Sequence, residues 1–316
     1  MMRLMHLSPR LAFLLTLPPL MWAGNAVIGR VMVGTAPPVL LNLIRWGGAL
    51  LLLLPLGWRV FATPVARAQV RARWPHLALL GLLGVGMYHA LQYMALRTSS
   101  PLNVTLVAAS SPLWMMLNGA LFFHVRPGRR DLAAAALSLA GVVMVLTRGH
   151  LLQLAQIRLV PGDLLILVAI FCWSLYSWLL ARPPASMRGD ARPPWNWAEF
   201  LLAQVVFGIA WAGAGAAVEA AVLADHDEPV RWGWPLALAL VYLATCPSLI
   251  AYYAWGTGVA QAGPAMAALF SNLTPLLTAL ISGAVLGTWP QPYHLAAFAL
   301  IVAGIMTSAL RRSTLR

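Results

Sequence analysis

In a chain that is otherwise overwhelmingly apolar, the side chains able to do chemistry gather in a few places. Trp22-Ala-Gly-Asn25 is echoed 151 positions later by Trp173-Ser-Leu-Tyr176. Indole, amide and phenol groups at matching depth suit a cavity wall that offers ring faces and neutral hydrogen bonds. The same residues with small neighbours would also serve plain helix packing. Tyr88, His89, Gln92 and Tyr93 follow at i, i+1, i+4 and i+5, which is one broad helical face. Shifted by 163 positions, His89 falls on Tyr252 and Gln92 on Trp255, with Tyr253 between them.

Two arginines lie inside apolar segments, Arg30 near an end and Arg45 deeper. A cation in a bilayer is costly and faces a protein interior or a water-filled cavity unless it can snorkel to the interface. Arg30 is placed to snorkel. Arg45 is placed to meet an anion or carboxylate if it faces inward, or else to pair helices. Asn103, Thr105, Ser110, Ser111 and Asn118 answer Ser271, Asn272 and Thr274, and Pro112 and Pro275 sit at matching depth. A proline frees a backbone carbonyl that can bind substrate or permit bending, and Ser or Thr can re-satisfy it. The candidate substrate-binding set is therefore Trp22, Asn25, Arg45, Tyr88, His89, Gln92, Asn103, Trp173, Tyr176, Tyr252, Tyr253 and Asn272.

Nothing in the set reads as catalytic. No Asp or Glu stands mid-segment, since Asp163, Glu199 and Glu219 are all near ends. Nucleotide-binding, zinc-protease and serine-hydrolase motifs are missing, and no metal or cofactor is called for. Cys172 and Cys246 fall inside apolar segments and read as packed thiols. Without a carboxylate relay, facilitated diffusion and coupling through His89 both stay open.

The elements that must position these groups are long apolar helices. Of 316 residues, 61% are hydrophobic and 9% charged, with mean hydropathy +0.78. A soluble domain carries about a quarter charged residues, so this chain belongs in a lipid bilayer. A spanning helix needs about 20 mainly apolar residues. Ten segments qualify, at 10–33, 38–57, 75–96, 101–124, 130–147, 162–181, 198–222, 234–256, 264–286 and 292–310. The first could pass for a signal peptide, but its apolar run continues through Val33 without a clean cleavage site.

The stretch from Pro101 to Thr147 recurs 163 positions on without a gap. Pro101 falls on Pro264, Pro112 on Pro275, Pro127 on Pro290 and Gly141 on Gly304. Such a unit is a duplicated half, with repeats at 1–150 and 160–312. Turns are expected at Gly34–Pro37, Thr98–Pro101 and Gln261–Pro264, and an extended link from Arg182 to Trp197. The net charge of +13 is carried by arginines spread between the segments, not clustered on one nucleic-acid-binding face. With both termini cytoplasmic, fifteen arginines lie on the inner side and only Arg97, Arg148, Arg158 and Arg231 outside. Five spans per half then invert the second half, so the fold class is an all-α integral membrane protein with ten helices as a 5+5 inverted repeat.

These pieces resemble the EamA family of the drug/metabolite transporter superfamily. The resemblance rests on Trp22-Ala-Gly-Asn25, Pro37-Pro38 with Arg45-Trp46, Gly81-Leu-Leu-Gly-Val-Gly-Met-Tyr88 and Ser111-Pro112-Leu113. It continues through Gly162-Asp163-Leu164, Trp173-Ser-Leu-Tyr176, Gly263-Pro264, Asn272-Leu-Thr-Pro275 and Tyr293-His294-Leu295. It implies a ten-helix inner-membrane carrier that moves small metabolites such as amino acids by alternating access. The chain departs from that pattern where the family has Gly-Glu, with His124-Val125 and Gly287-Thr288 instead. The expected partners are a small amphipathic solute and the lipid bilayer; a homodimer is an allowed assembly. The alternative is a membrane-embedded enzyme or accessory protein acting on lipid, for which His150 and His226 lack evident catalytic partners.

Overall fold

The computed structural model of the protein describes residues 9–125, 128–150, 160–223, 229–271 and 273–309. Among them every regular element is helical. In chain order these are α1 (Pro9–Val31), α2 (Pro38–Gly57), α3 (Arg59–Ala62), α4 (Pro64–Ala72) and α5 (Trp74–Leu80). A π-helical stretch, Gly81–Met87, joins α5 to α6 (Tyr88–Ala95). Then come α7 (Pro101–Ala108), α8 (Ser111–Phe123), α9 (Arg129–Leu146), α10 (Pro161–Ala181) and α11 (Trp197–Val222). A second π stretch, Cys246–Ile250, joins α12 (Trp234–Thr245) to α13 (Ala251–Ser271), and α14 (Leu273–Leu286) and α15 (Pro292–Ala309) follow.

By length and composition six helical runs among the described residues can cross a membrane, and seven if α7 and α8, bent by 46°, form one broken span. Shorter apolar helices, Ala135–Val145, Leu273–Leu286 and Pro292–Gly304, occupy further positions of the expected pattern. The chain is a multi-pass membrane protein.

Helix starts follow local chemistry. Proline opens α2, α4, α7 and α10, where its missing N–H costs nothing. Asn196 and Glu199 form a reciprocal capping box at α11, with Asn196 Oδ1 accepting from the Glu199 N–H at 2.9 Å and Glu199 Oε2 from the Asn196 N–H at 2.8 Å. The ends of α8 and α14 repeat one device. The Val125 N–H returns to the Gly119 carbonyl at 2.9 Å, and the Thr288 N–H to the Ser282 carbonyl at 3.4 Å, past left-handed His124 and Gly287.

Packing pairs the helices across the chain: α2 against α11, α9 against α15, α1 against α13 and α14, and α10 against α6 and α8. Glycines permit the closest approaches. A Cβ at Gly81 would meet the Gln204 carbonyl oxygen at 2.7 Å, so α11 crosses the first π stretch in direct backbone contact.

Two expectations are corrected. The turn expected at Gln261–Pro264 is helical, within the unbroken α13. In apolar surroundings a continuous helix keeps its backbone groups paired, and Gly and Pro are tolerated there. The Arg182–Trp197 link is coiled into two 3-10 turns, not extended. Arg73 fastens it, donating to the Ser186 carbonyl at 2.9 Å and the Ala191 carbonyl at 2.7 Å, and Met187 is buried beneath it.

Candidate functional site

Arg45 is fully buried, and every contact its guanidinium makes among the described residues is to a neutral group. Nε donates to Ser248 Oγ at 2.8 Å and to the Leu243 carbonyl at 3.1 Å. Nη1 donates to Tyr93 Oη at 2.9 Å and Asn25 Oδ1 at 3.3 Å. Nη2 donates to His89 Nε2 at 3.3 Å, so that ring nitrogen carries a lone pair. The ring proton then sits on Nδ1, 3.5 Å from Gln92 Oε1. Asn25 closes the network, accepting from Tyr93 Oη at 2.7 Å and donating to Gln92 Oε1 at 2.8 Å. The donor directions agree throughout, which fixes one orientation for each amide.

A cation of this kind is normally paired with a carboxylate. Here Asp163 is engaged with Ser99, Glu199 with Asn196 and Glu219 with the N-terminus of α2, while Asp190 lies exposed in the Arg182–Trp197 link. The site is thus a positive centre held by dipoles. Trp46 and Tyr93 add their ring faces, with centroids 5.3 and 5.9 Å from the guanidinium carbon.

Aromatic rings continue outward from this centre. Trp173 is the hub, 5.1 Å from Tyr88, 5.2 Å from Tyr176, 5.6 Å from Trp22 and 5.9 Å from Tyr252 between centroids. Trp22 reaches Trp255 at 5.5 Å, and Tyr252 reaches Trp46 at 5.4 Å. The rings come from α1, α2, α6, α10 and α13, so no single helix owns the cluster. Offset and edge-on pairs of this kind each contribute about 0.5–1.5 kcal/mol beyond burial. Among the described residues, Trp22 Nε1 and Trp46 Nε1 are buried donors with no protein acceptor.

Of the residues expected from sequence, Trp22, Asn25, Arg45, Tyr88, His89, Gln92, Trp173, Tyr176 and Tyr252 come together here. Tyr253 does not: one residue on from Tyr252 it has turned about a quarter of the way round the helix, is 41% exposed and lies against Trp197. Asn103 does not either; its Oδ1 accepts from His294 Nε2 at 2.9 Å, tying the start of α7 to the start of α15. Asn272 lies outside the described residues. Thr105 and Ser110 turn their hydroxyls back to carbonyls of α7, and Asn118 donates to the Phe171 carbonyl. Arg30 does not reach for solvent alone but caps the end of α6 at the Leu96 carbonyl, 2.5 Å away.

Four residues complete the site beyond the expected set: Trp46, Tyr93, Ser248 and Trp255. Helical spacing was the signal for two of them, since Tyr93 is four residues from His89 and Trp255 three from Tyr252. Trp46 and Ser248 carry no such signal. One follows Arg45 directly, and the other follows Pro247.

The chain matches the EamA-like transporter family over residues 10–147 and again over residues 160–310. It is similar to the aromatic amino acid exporter YddG of Ancylobacter novellus, 28% identical over 295 residues covering 92% of this chain and 94% of that one. It is also similar to the uncharacterized inner membrane transporter YedA of Escherichia coli K12, 26% identical over 314 residues covering 98% and 93%. One solved crystal structure superposes with a TM-score of 0.61 at 23% identity, covering 97% of this chain and 99% of that chain, and shows likeness of fold.

Proposed function

The chain belongs to the EamA-like transporter family, and we propose that it is a secondary carrier that exports a small amphipathic metabolite by alternating access. The cargo is amino-acid-like or drug-like in this reading, and the chain is not an enzyme. The observation that carries the reading is the meeting of Trp22 and Trp173, from segments that repeat one another, in a ring cluster beside one buried cation. A flat or apolar cargo body stacks on Trp173, Tyr88 and Tyr252, and the unpartnered indole donors of Trp22 and Trp46 take its polar groups. The uncompensated charge of Arg45 favours an anionic group on the cargo by its field, since its nitrogens are already engaged. His89 serves to position that guanidinium.

We further read the chain as ten spans in two inverted halves, 1–150 and 160–312, in an inner membrane with both termini cytoplasmic. The packing supports this. Exchanging the halves maps α1 against α13 onto α10 against α6, and leaves α2 with α11 and α9 with α15 paired. The names of the relatives support export and an inner membrane.

The test is counterflow in proteoliposomes with a panel of amino acids, aromatic acids and amines. Saturable, cargo-selective exchange is expected. Covalent change in added lipid without exchange would instead mark an enzyme.

A further inference from the structure

The two π-helical stretches occupy the same place in the repeat, for Gly81–Met87 shifted by 163 positions covers 244–250 and so contains Cys246–Ile250. π stretches are rare and concentrate at working sites. Each leaves a carbonyl outside the backbone bonding of its own helix. In the first, the last five-back bond runs from the Tyr88 N–H to the Leu83 carbonyl, and return to four-back register passes over Gly84. In the second, Pro247 has no N–H to offer the carbonyl of Leu243, four residues back.

Both carbonyls accept a side-chain hydrogen bond from across the protein, the second in addition to a local one. Tyr252 Oη donates to the Gly84 carbonyl at 2.9 Å, and Arg45 Nε donates to the Leu243 carbonyl at 3.1 Å, seconded by Ser248 Oγ at 2.6 Å. Tyr252 lies on the second matching half and holds the first; Arg45 lies on the first and holds the second. Asn42 adds a further bond to the first stretch, at the Val85 carbonyl, 2.9 Å away.

Resting on the carrier reading above, we propose that Tyr252 and Arg45 form a reciprocal clamp in which side chains at the cargo site hold the π stretch of the opposing helix. Tyr252 places its ring against Trp173 and its hydroxyl on Gly84. A cargo that moves the ring therefore loads the π stretch between α5 and α6. Arg45 ties the same network of Asn25, His89 and Tyr93 to the Leu243 carbonyl, where α12 enters the second π stretch. Both are positioning residues.

Hydrogen exchange of the full chain in lipid nanodiscs tests the clamp without any cargo. Tyr252→Phe keeps the ring and removes one bond, so amides of 81–88 are expected to exchange about three- to tenfold faster. Those of α9 and α15 are expected to stay unchanged. Arg45→Gln is expected to do the same over 243–251. Wild-type exchange over 81–88 in Tyr252→Phe overturns the clamp, as does faster exchange in Tyr252→Ala but not Tyr252→Phe, which would assign the effect to ring packing. Should Arg45→Gln not insert, the Tyr252→Phe comparison decides alone. An absence of counterflow for every cargo would remove the carrier reading and leave the exchange result standing.

Discussion

Trp22 and Trp173 stand 151 positions apart in the sequence and meet edge to face with ring centroids 5.6 Å apart. They occupy equivalent places in the two matching stretches, one on α1 and one on α10. A duplicated motif here yields two sides of one wall, which Trp173 joins through Tyr88 and Tyr252 to the rings beside the Arg45 network.

Trp173 touches four other rings of the cluster, and unlike Tyr252 it makes no hydrogen bond to the opposing helix among the described residues, so Trp173→Ala tests the wall by itself. At about 0.5–1.5 kcal/mol per aromatic contact, losing two cargo contacts weakens binding on the order of tenfold or more. Counterflow is expected to fall accordingly while size-exclusion profiles stay normal. Trp197→Ala is the control, since Trp197 is 42% exposed and touches Tyr253 outside the cluster. Equal loss in both variants would detach the cluster from transport.

Sequence periodicity was enough for most of this wall. Helical spacing put Tyr88, His89 and Gln92 on one face, and the 163-residue register put Tyr252 opposite them. It failed at Tyr253 because adjacent residues on a helix point about 100° apart, and on α13 that turn carries Tyr253 away from the cluster to Trp197. It failed at Asn103 because a polar residue at a helix start has a local use, here the tie to His294. The π stretches were unreadable. The run Gly81-Leu-Leu-Gly-Val-Gly signals close packing, but a shift from four-back to five-back bonding leaves no compositional trace. The helix through Gln261–Pro264 was missed for a related reason, since a Gly-Pro pair reads as a turn wherever water can pay its backbone.

Asn25→Asp separates the structural work of the buried network from its charge. The carboxylate keeps the acceptor for Tyr93 Oη and Arg45 Nη1, and Gln92 can turn its amide to donate in place of Asn25 Nδ2. The folded protein is expected to lose no more than about 1 kcal/mol in thermal unfolding. The positive centre, however, is neutralised. Uptake of carboxylate-bearing cargo should fall about tenfold relative to its amide analogue, read as a ratio in the same vesicles. An unchanged ratio would mean that the field of Arg45 does not reach the cargo.

His124 occupies a left-handed position, φ 53°, at the end of α8 where the matching place in the repeat holds Gly287, φ 67°. A side chain bearing a Cβ is strained there, and glycine is not. His124→Gly is therefore expected to stabilise the protein by up to ~1 kcal/mol, a rise of a few degrees in a thiol-reactive or scattering-based melt. Gly287→His should cost a similar amount. A destabilised His124→Gly would show that the imidazole makes a contact worth more than the strain.

Gly162 marks where the start of α10 leans on the end of α6. Its N–H donates to Thr98 Oγ1 at 2.9 Å, and beside it Asp163 Oδ1 accepts from Ser99 Oγ at 2.9 Å. A Cβ at this position would collide with the carbonyl oxygen of Ala95 and stand 2.7 Å from Thr98 Oγ1. Backbone cannot yield as a side-chain tip can, so Gly162→Ala must separate the two helices or break both bonds. The expected cost is about 1–3 kcal/mol in thermal unfolding. Gly213→Ala provides the contrast, because nothing lies within 4 Å of a Cβ built there in the middle of α11. At that site alanine is expected to gain about 0.5–1 kcal/mol from helix propensity alone. If both alanines behave alike, the close approach of α10 to α6 is not what selects glycine at 162.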